Sequence, residues 1–327
     1  HTDPYTTIDG VSRTVSATWR SISQFTSSSS DFETETGTLG LDYAWPLTEF
    51  QSVRMGFAAQ RSDLFTDPNS SSAEALYWVQ NNGNTYTEVQ TVGIPPIALT
   101  YYGTKFDTFE YSLGWSFDSR NRALFADRGA RHRVSASYAL PFSDVDFVSF
   151  NYDYLQFIPV SKWFTLMFNS EAGYGQALGD TTSMPPYRRF FAGGPETVRG
   201  YRESRMGPKD SFGNPYGGNI KFTNQFELLL PMPAKWRNSA RFSLFFDIGN
   251  VFSNDDVAYV GRDGVTPVDY EFSFDKLRYS TGVAVQWMAP LGVFRFSYAV
   301  PLNEFKGNAV EYPDETEGFQ FSIGQAF

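Results

Sequence analysis

The chain has 327 residues, no cysteine, a formal charge of −10 and an aromatic content of 18%, with 32 Phe and 19 Tyr. The acidic balance argues against a nucleic-acid partner, which needs clustered Lys and Arg to neutralise phosphates. The lack of cysteine excludes a disulfide framework and any thiolate metal site. Mean hydropathy is −0.34 and no run approaches the ~18 consecutive apolar residues of a membrane helix, so a membrane-spanning form must be a β-barrel. The chain opens at His1 with neither the charged nor the apolar region of a signal peptide, as expected where one has been removed or was never part of this sequence.

Twelve segments in chain order alternate with period two, which puts their two residue sets on opposite faces of a strand. In 11–22, Val11, Val15, Ala17 and Trp19 oppose Ser12, Thr14, Ser16 and Thr18. The next sets Leu39, Leu41, Tyr43 and Trp45 against Thr38, Gly40, Asp42 and Ala44, and a third runs from 53 to about 60. The clearest is 109–118, where Phe109, Tyr111, Leu113, Trp115 and Phe117 alternate with Glu110, Ser112, Gly114, Ser116 and Asp118. Further segments lie near 131–140, 146–158, 163–175, 219–230, 240–252, 277–289, 291–300 and 318–327. In the last, Phe319, Phe321, Ile323 and Phe327 alternate with Gln320, Ser322, Gly324 and Ala326.

A soluble β-sandwich also alternates, but its interior favours Val, Leu and Ile over Phe, Tyr and Trp. The connectors separate the two. Short links at 46–51, 159–162 and 289–292 alternate with long ones at 65–106, 176–218, 253–276 and 301–317. Short turns on one rim, long loops on the other and an even strand count describe an outer-membrane barrel, whose closure leaves no unpaired backbone in lipid. The expected fold is all-β: one transmembrane antiparallel β-barrel domain over residues 1–327, with twelve strands. Trp45, Trp163 and Trp287 belong in its interfacial girdles. Phe109, Tyr111, Leu113, Trp115, Phe242, Leu244, Phe294 and Phe296 face lipid.

Catalytic chemistry is not legible. The two histidines, His1 and His132, have no metal-ligand spacing, and no G-x-S-x-G, P-loop or H-E-x-x-H occurs. His132 reads as an interfacial or structural residue. Asp255, Asp256 and Asp263 are a calcium site only on a generous view; a solvated loop explains them better. The expectation is no enzyme, no metal and no cofactor.

The stretch 190-FFAGGPETVRGYRESRMGPKD-210 interrupts the strands with glycines and aromatics around Arg199. It resembles the sixth extracellular loop of the BamA family of outer-membrane barrel-assembly proteins. The likeness continues through 3-DPYTTIDGVS-12, 226-FELLLPMP-233, 245-FFDIGNVF-252 and 285-VQWMAPLGVFRFSYAVPL-302 to the aromatic terminal strand. Val198, Arg199, Gly200 and Tyr201 form a V-R-G-Y element shared with a wider superfamily. That superfamily includes two-partner secretion transporters and the related assembly factor TamA, so a polypeptide-translocating pore is the alternative. A passive porin would not need such a loop.

The resemblance implies insertion of unfolded outer-membrane protein clients into outer-membrane lipids of a Gram-negative bacterium, without ATP and with accessory lipoproteins. It implies that the loop 176–218 folds into the lumen, where Arg199 meets Glu227 and Asp247 on adjacent strands. Periodicity agrees, because Asp247 shares its face with Ser243 and Gly249, and Glu227 with Lys221, Thr223 and Gln225. Gly193, Gly194 and Gly200 permit the tight backbone path that a tether or a plug requires. Family barrels have sixteen strands and periplasmic POTRA domains, and this chain matches from the turn before the fifth strand. The segment 11–22 is therefore expected to pair with the last strand, Phe319, Phe321, Ile323, Gly324 and Phe327 included, directly or across a partner chain. That closure makes a narrower barrel in which the loop is crowded, and the fragment alone is expected not to insert clients.

Overall fold

A computed structural model of the chain describes all residues except 9, 24–32, 68–70, 93–95, 234, 237–238, 291 and 325–327. The chain begins with β1 (Thr2–Asp3), β2 (Ser12–Ser23), β3 (Glu33–Pro46) and β4 (Gln51–Thr66). A helix, α1 (Ala73–Asn81), and β5 (Asn84–Val92) precede the long β6 (Ile97–Asp118). Then come β7 (Gly129–Ala139), β8 (Asp146–Pro159), β9 (Thr165–Leu178) and the short β10 (Gly200–Tyr201). The chain ends with β11 (Ile220–Leu229), β12 (Ala240–Phe252), β13 (Arg278–Ala289), β14 (Gly292–Pro301), β15 (Thr316–Glu317) and β16 (Phe319–Gly324).

The main sheet runs β1-β2-β3-β4-β6-β7-β8-β9-β11-β12-β13-β14-β16, every pairing antiparallel and in chain order once β5, β10 and β15 are set aside, with β5 added to the outer half of β6. Leaving aside the two-residue β1, twelve strands form this wall, as the alternation predicts. Links of a few residues (47–50, 160–164, 290–291) join strands on one rim, and the long segments 179–219, 253–277 and 302–318 lie on the other.

The faces follow the same logic. Phe109, Leu113 and Leu244 are exposed on the outside, while their inward neighbours Ser243 and Asp247 are buried. Tyr111, Trp115, Phe242, Phe294 and Phe296 share that outer surface, partly covered by adjacent rings such as Phe57 on Tyr111 and Phe321 on Phe296. This outer set is the surface a lipid phase covers, and among the described residues no second sheet packs on it. Trp45, Trp163 and Trp287 sit beside the short turns, and His132 lies among Trp115, Phe117, Tyr152 and Tyr154, accepting or donating at Tyr152 Oη, 2.9 Å away. Amphipathic rings at that depth are the girdle expected of such barrels.

Two features differ from the sequence expectation. The segment 65–106 is not a bare loop, because β4 and β6 extend beyond the barrel rim, α1 packs on them and β5 widens the ladder. Ser72 caps α1 by accepting from Ala75 N–H, and the helix buries Trp78 and Val79 against Leu64, Phe106, Val145, Phe147 and Met184. Nine residues are too few for a visible helical period, and the partners that stabilise the helix are remote in sequence. The second difference is at the seam. No β2–β16 ladder occurs among the described residues; β1 pairs with the start of β2 through Thr2↔Thr14 and Asp3↔Arg13, with reciprocal bonds between His1 and Val15. Phe327, predicted to end the last strand, lies outside the described residues.

Candidate functional site

Between β9 and β11 the chain folds back into the lumen rather than outward. Its path needs left-handed backbone, which side chains disfavour. At Gly193 φ is +104°, and a Cβ there would stand 2.3 Å from the Arg202 carbonyl oxygen; at Gly200 φ is +88°. Thr197 clips the turn by donating to the Gly193 carbonyl and accepting from its N–H. Ala192, Val198, Tyr201 and Met206 then pack on Val251 of β12, with Val198 and Tyr201 fully buried.

This packing delivers Arg199, 4% exposed, to the inner faces of β11 and β12. Its Nε and Nη2 donate to the two oxygens of Asp247 at 2.7 Å each, and its backbone N–H donates to Oδ2 at 3.0 Å. Nη1 donates to Glu227 Oε1 at 2.5 Å. Asp247 and Glu227 come together because Gln225 opposes Asp247 in the β11–β12 register, two residues from Glu227 on the same face. Both carboxylates are nearly or wholly buried. The fork against Asp247 is the bidentate geometry in which charge-assisted bonds are strongest. Burial opposes the charge on Arg199, but Asp247 and Glu227 outweigh it and hold its pKa above the ordinary arginine value. The crowding expected of a narrow lumen has not distorted the contact.

Sequence reasoning missed several members of this assembly. Phe245 stacks beneath the guanidinium, with Cζ of Arg199 3.6 Å from the ring centroid; the signal was an aromatic on the face otherwise polar in β12. Gln320 of β16, 3% exposed, bonds to the backbone at Gly200 and Tyr201. β15 pairs with β10, through Gly200↔Glu317 and Tyr201↔Thr316. Glu315 receives Arg205 at 2.8 Å, Lys209 at 3.1 Å and Arg202 at 3.2 Å.

Asp255 is a correction. Predicted to be solvated, its side chain is 4% exposed and accepts from Arg189 Nη2 at 3.2 Å, while Arg189 Nη1 donates to Tyr259 Oη at 2.9 Å. Burial raises the Asp255 pKa more than Arg189 lowers it. Asp263 instead folds on its own turn, accepting from Val265 and Thr266. Among the described residues no three His, Asp or Glu side chains are arranged to hold a metal. Phe319, Phe321 and Ile323 point outward from β16 and are exposed; Gly324 closes that strand's pairing opposite Val293.

A model of the Omp85 superfamily domain matches residues 1–327. The outer membrane protein assembly factor BamA of Neisseria meningitidis serogroup B is 34% identical over 344 aligned positions, covering 100% of this chain and 41% of that protein. The sorting assembly machinery 50 kDa subunit of Saccharomyces cerevisiae is 24% identical, over 48% of this chain and 31% of that protein. The crystal structure of BamA from Haemophilus ducreyi lacking POTRA domains 1–3 superposes with a TM-score of 0.80 at 23% identity, a likeness of fold, covering 100% of this chain and 61% of that one. The chain thus spans about two fifths of the length of its Neisseria relative.

Proposed function

The chain belongs to the Omp85 superfamily, and from that premise we propose that it is the barrel unit of an outer-membrane protein assembly and insertion factor. Residues 1–327 act as a single barrel domain in the outer membrane of a Gram-negative bacterium. Its substrates are unfolded outer-membrane proteins, its solvent is outer-membrane lipid, and accessory lipoproteins are its partners. The work is non-enzymatic: no bond is made or broken, and the free energy comes from burying apolar strand faces in lipid and pairing their backbone groups.

One observation carries this reading. The loop arginine is forked on a strand carboxylate inside the lumen, at positions found in a chain 34% identical along its whole length to an assembly factor. Polypeptide secretion through the barrel is the competing reading, and the relatives named for assembly and sorting favour assembly.

Depletion tests it. When the protein is depleted from cells, folded heat-modifiable outer-membrane barrels should fall together, while inner-membrane proteins persist. Loss of one secreted substrate with normal barrel levels would instead indicate a secretion pore.

A further inference from the structure

The inward positions of β16 are Gln320, Ser322 and Gly324, and the first two are bound to the luminal loop. Gln320 offers both ends of its amide to the loop backbone. Oε1 accepts from Gly200 N–H at 3.2 Å and Nε2 donates to the Tyr201 carbonyl at 2.7 Å. A primary amide presents donor and acceptor in one plane, as a neighbouring strand does. Just before β16, Gly200 and Tyr201 pair with Glu317 and Thr316, and Arg202 N–H donates to the Glu315 carbonyl at 2.8 Å. Glu196 extends the contact, receiving Arg295 of β14 at 2.5 Å and Ser322 Oγ at 3.3 Å.

Consecutive loop residues therefore hold different parts of the wall. Arg199 is fixed to β11 and β12, and Gly200 to β16, with β13 and β14 between them in the sheet. The terminal strand has little else. Among the described residues it pairs with β14 over Phe319–Gly324 and with no second strand, whereas β13 pairs along most of its length on both sides. A strand with one short ladder lies at the low end of local stability.

We infer that residues 196–202 form a strut that sets the position of the terminal strand, and that Gln320 is the positioning residue coupling the Arg199 anchor to it. Its bearing on function rests on the assembly reading above; its mechanics do not. With the strut engaged, β16 is held against the loop. Release at either end, Arg199 or Gln320, frees the same strand.

Hydrogen exchange on the protein purified from membranes tests this without any client protein. Gln320→Leu removes both amide bonds and leaves the Gly200 N–H without its acceptor. Amides of Phe319–Gly324 should then exchange on the order of tenfold faster, as expected for losing a pair of hydrogen bonds, with β9 unchanged. Gln320→Glu, which keeps the acceptor but buries a carboxylate against the Tyr201 carbonyl, should raise β16 exchange at least as much. Arg199→Ala should give the same rise in β16, and the double variant no further rise. If Gln320→Leu also loosens β9, the Arg199→Ala result decides in its place. Unchanged β16 exchange in Arg199→Ala, or additive effects in the double variant, would overturn the strut. Either result leaves the depletion test of assembly standing, and failure of that test leaves the strut standing.

Discussion

Arg199 is one cation between two carboxylates, and the two are not equivalent. Asp247 accepts three bonds from it and Glu227 one. Removing one partner of a buried ion pair costs ~3–5 kcal/mol, because the other charge stays desolvated. Arg199→Ala should therefore lower the temperature at which the folded band is lost on gels. Asp247→Asn should lower it more than Glu227→Gln; the reverse order would mean that Glu227 is the principal anchor. Phe245→Leu keeps the ion pair and removes only the stacked ring, a loss of about 0.5–2 kcal/mol, readable as a smaller drop in the same assay. Gly200→Ala meets both a φ of +88° and the Ala299 Cβ at 3.0 Å. It should destabilise by ~1–3 kcal/mol, the usual cost of such backbone strain. The three charged residues were legible from the motif and from their faces. Phe245 and Gln320 were not, because their roles depend on where a loop from elsewhere in the chain comes to rest.

Each spanning strand is a stripe of lipid-facing side chains backed by a polar stripe, and β12 shows both within a few residues. Leu244→Arg places a charge on the outer face, and near mid-membrane depth that costs ~2–4 kcal/mol. Ser243→Asn changes the inner face and should cost far less; urea unfolding in lipid vesicles should separate the two clearly. Equal costs would contradict the assignment of faces. Period-two alternation made these strands readable even though each is short, since a residue's face depends only on its parity. The outer half of β6, β5 and α1 were not readable. Their stability comes from Trp78, Phe106 and Phe147 meeting across long sequence separations, and 66-TDPNSSSAEA-75 has the composition of an ordinary loop. Ser72 as an N-cap was the one local hint.

At the level of the molecule, the long-loop rim is closed by segments that clip one another. The buried Glu74 of α1 accepts from Ser211 and Val260 N–H on two other loops, and Arg189 joins Asp255, Tyr259 and Tyr216. Arg189→Ala should loosen this cap without touching the tether, so external protease should cut 253–277 faster while the folded band keeps its thermal resistance. The barrel and its strand count followed from the sequence, but the edge of β2 did not. Pairing with β16, directly or across a partner chain, was expected there; among the described residues no such ladder forms, and β1 pairs with Arg13 and Thr14 at the start of β2. On the proposed function, a loop anchored within the lumen is part of the machinery that assembles other barrels. It is tested most directly in cells whose own supply of the protein is shut off and which receive either the wild-type chain sequence or Arg199→Ala within the intact gene. At matched amounts of folded protein in the outer membrane, wild type should restore the level of folded client barrels and Arg199→Ala should not. Full restoration by Arg199→Ala would contradict the claim.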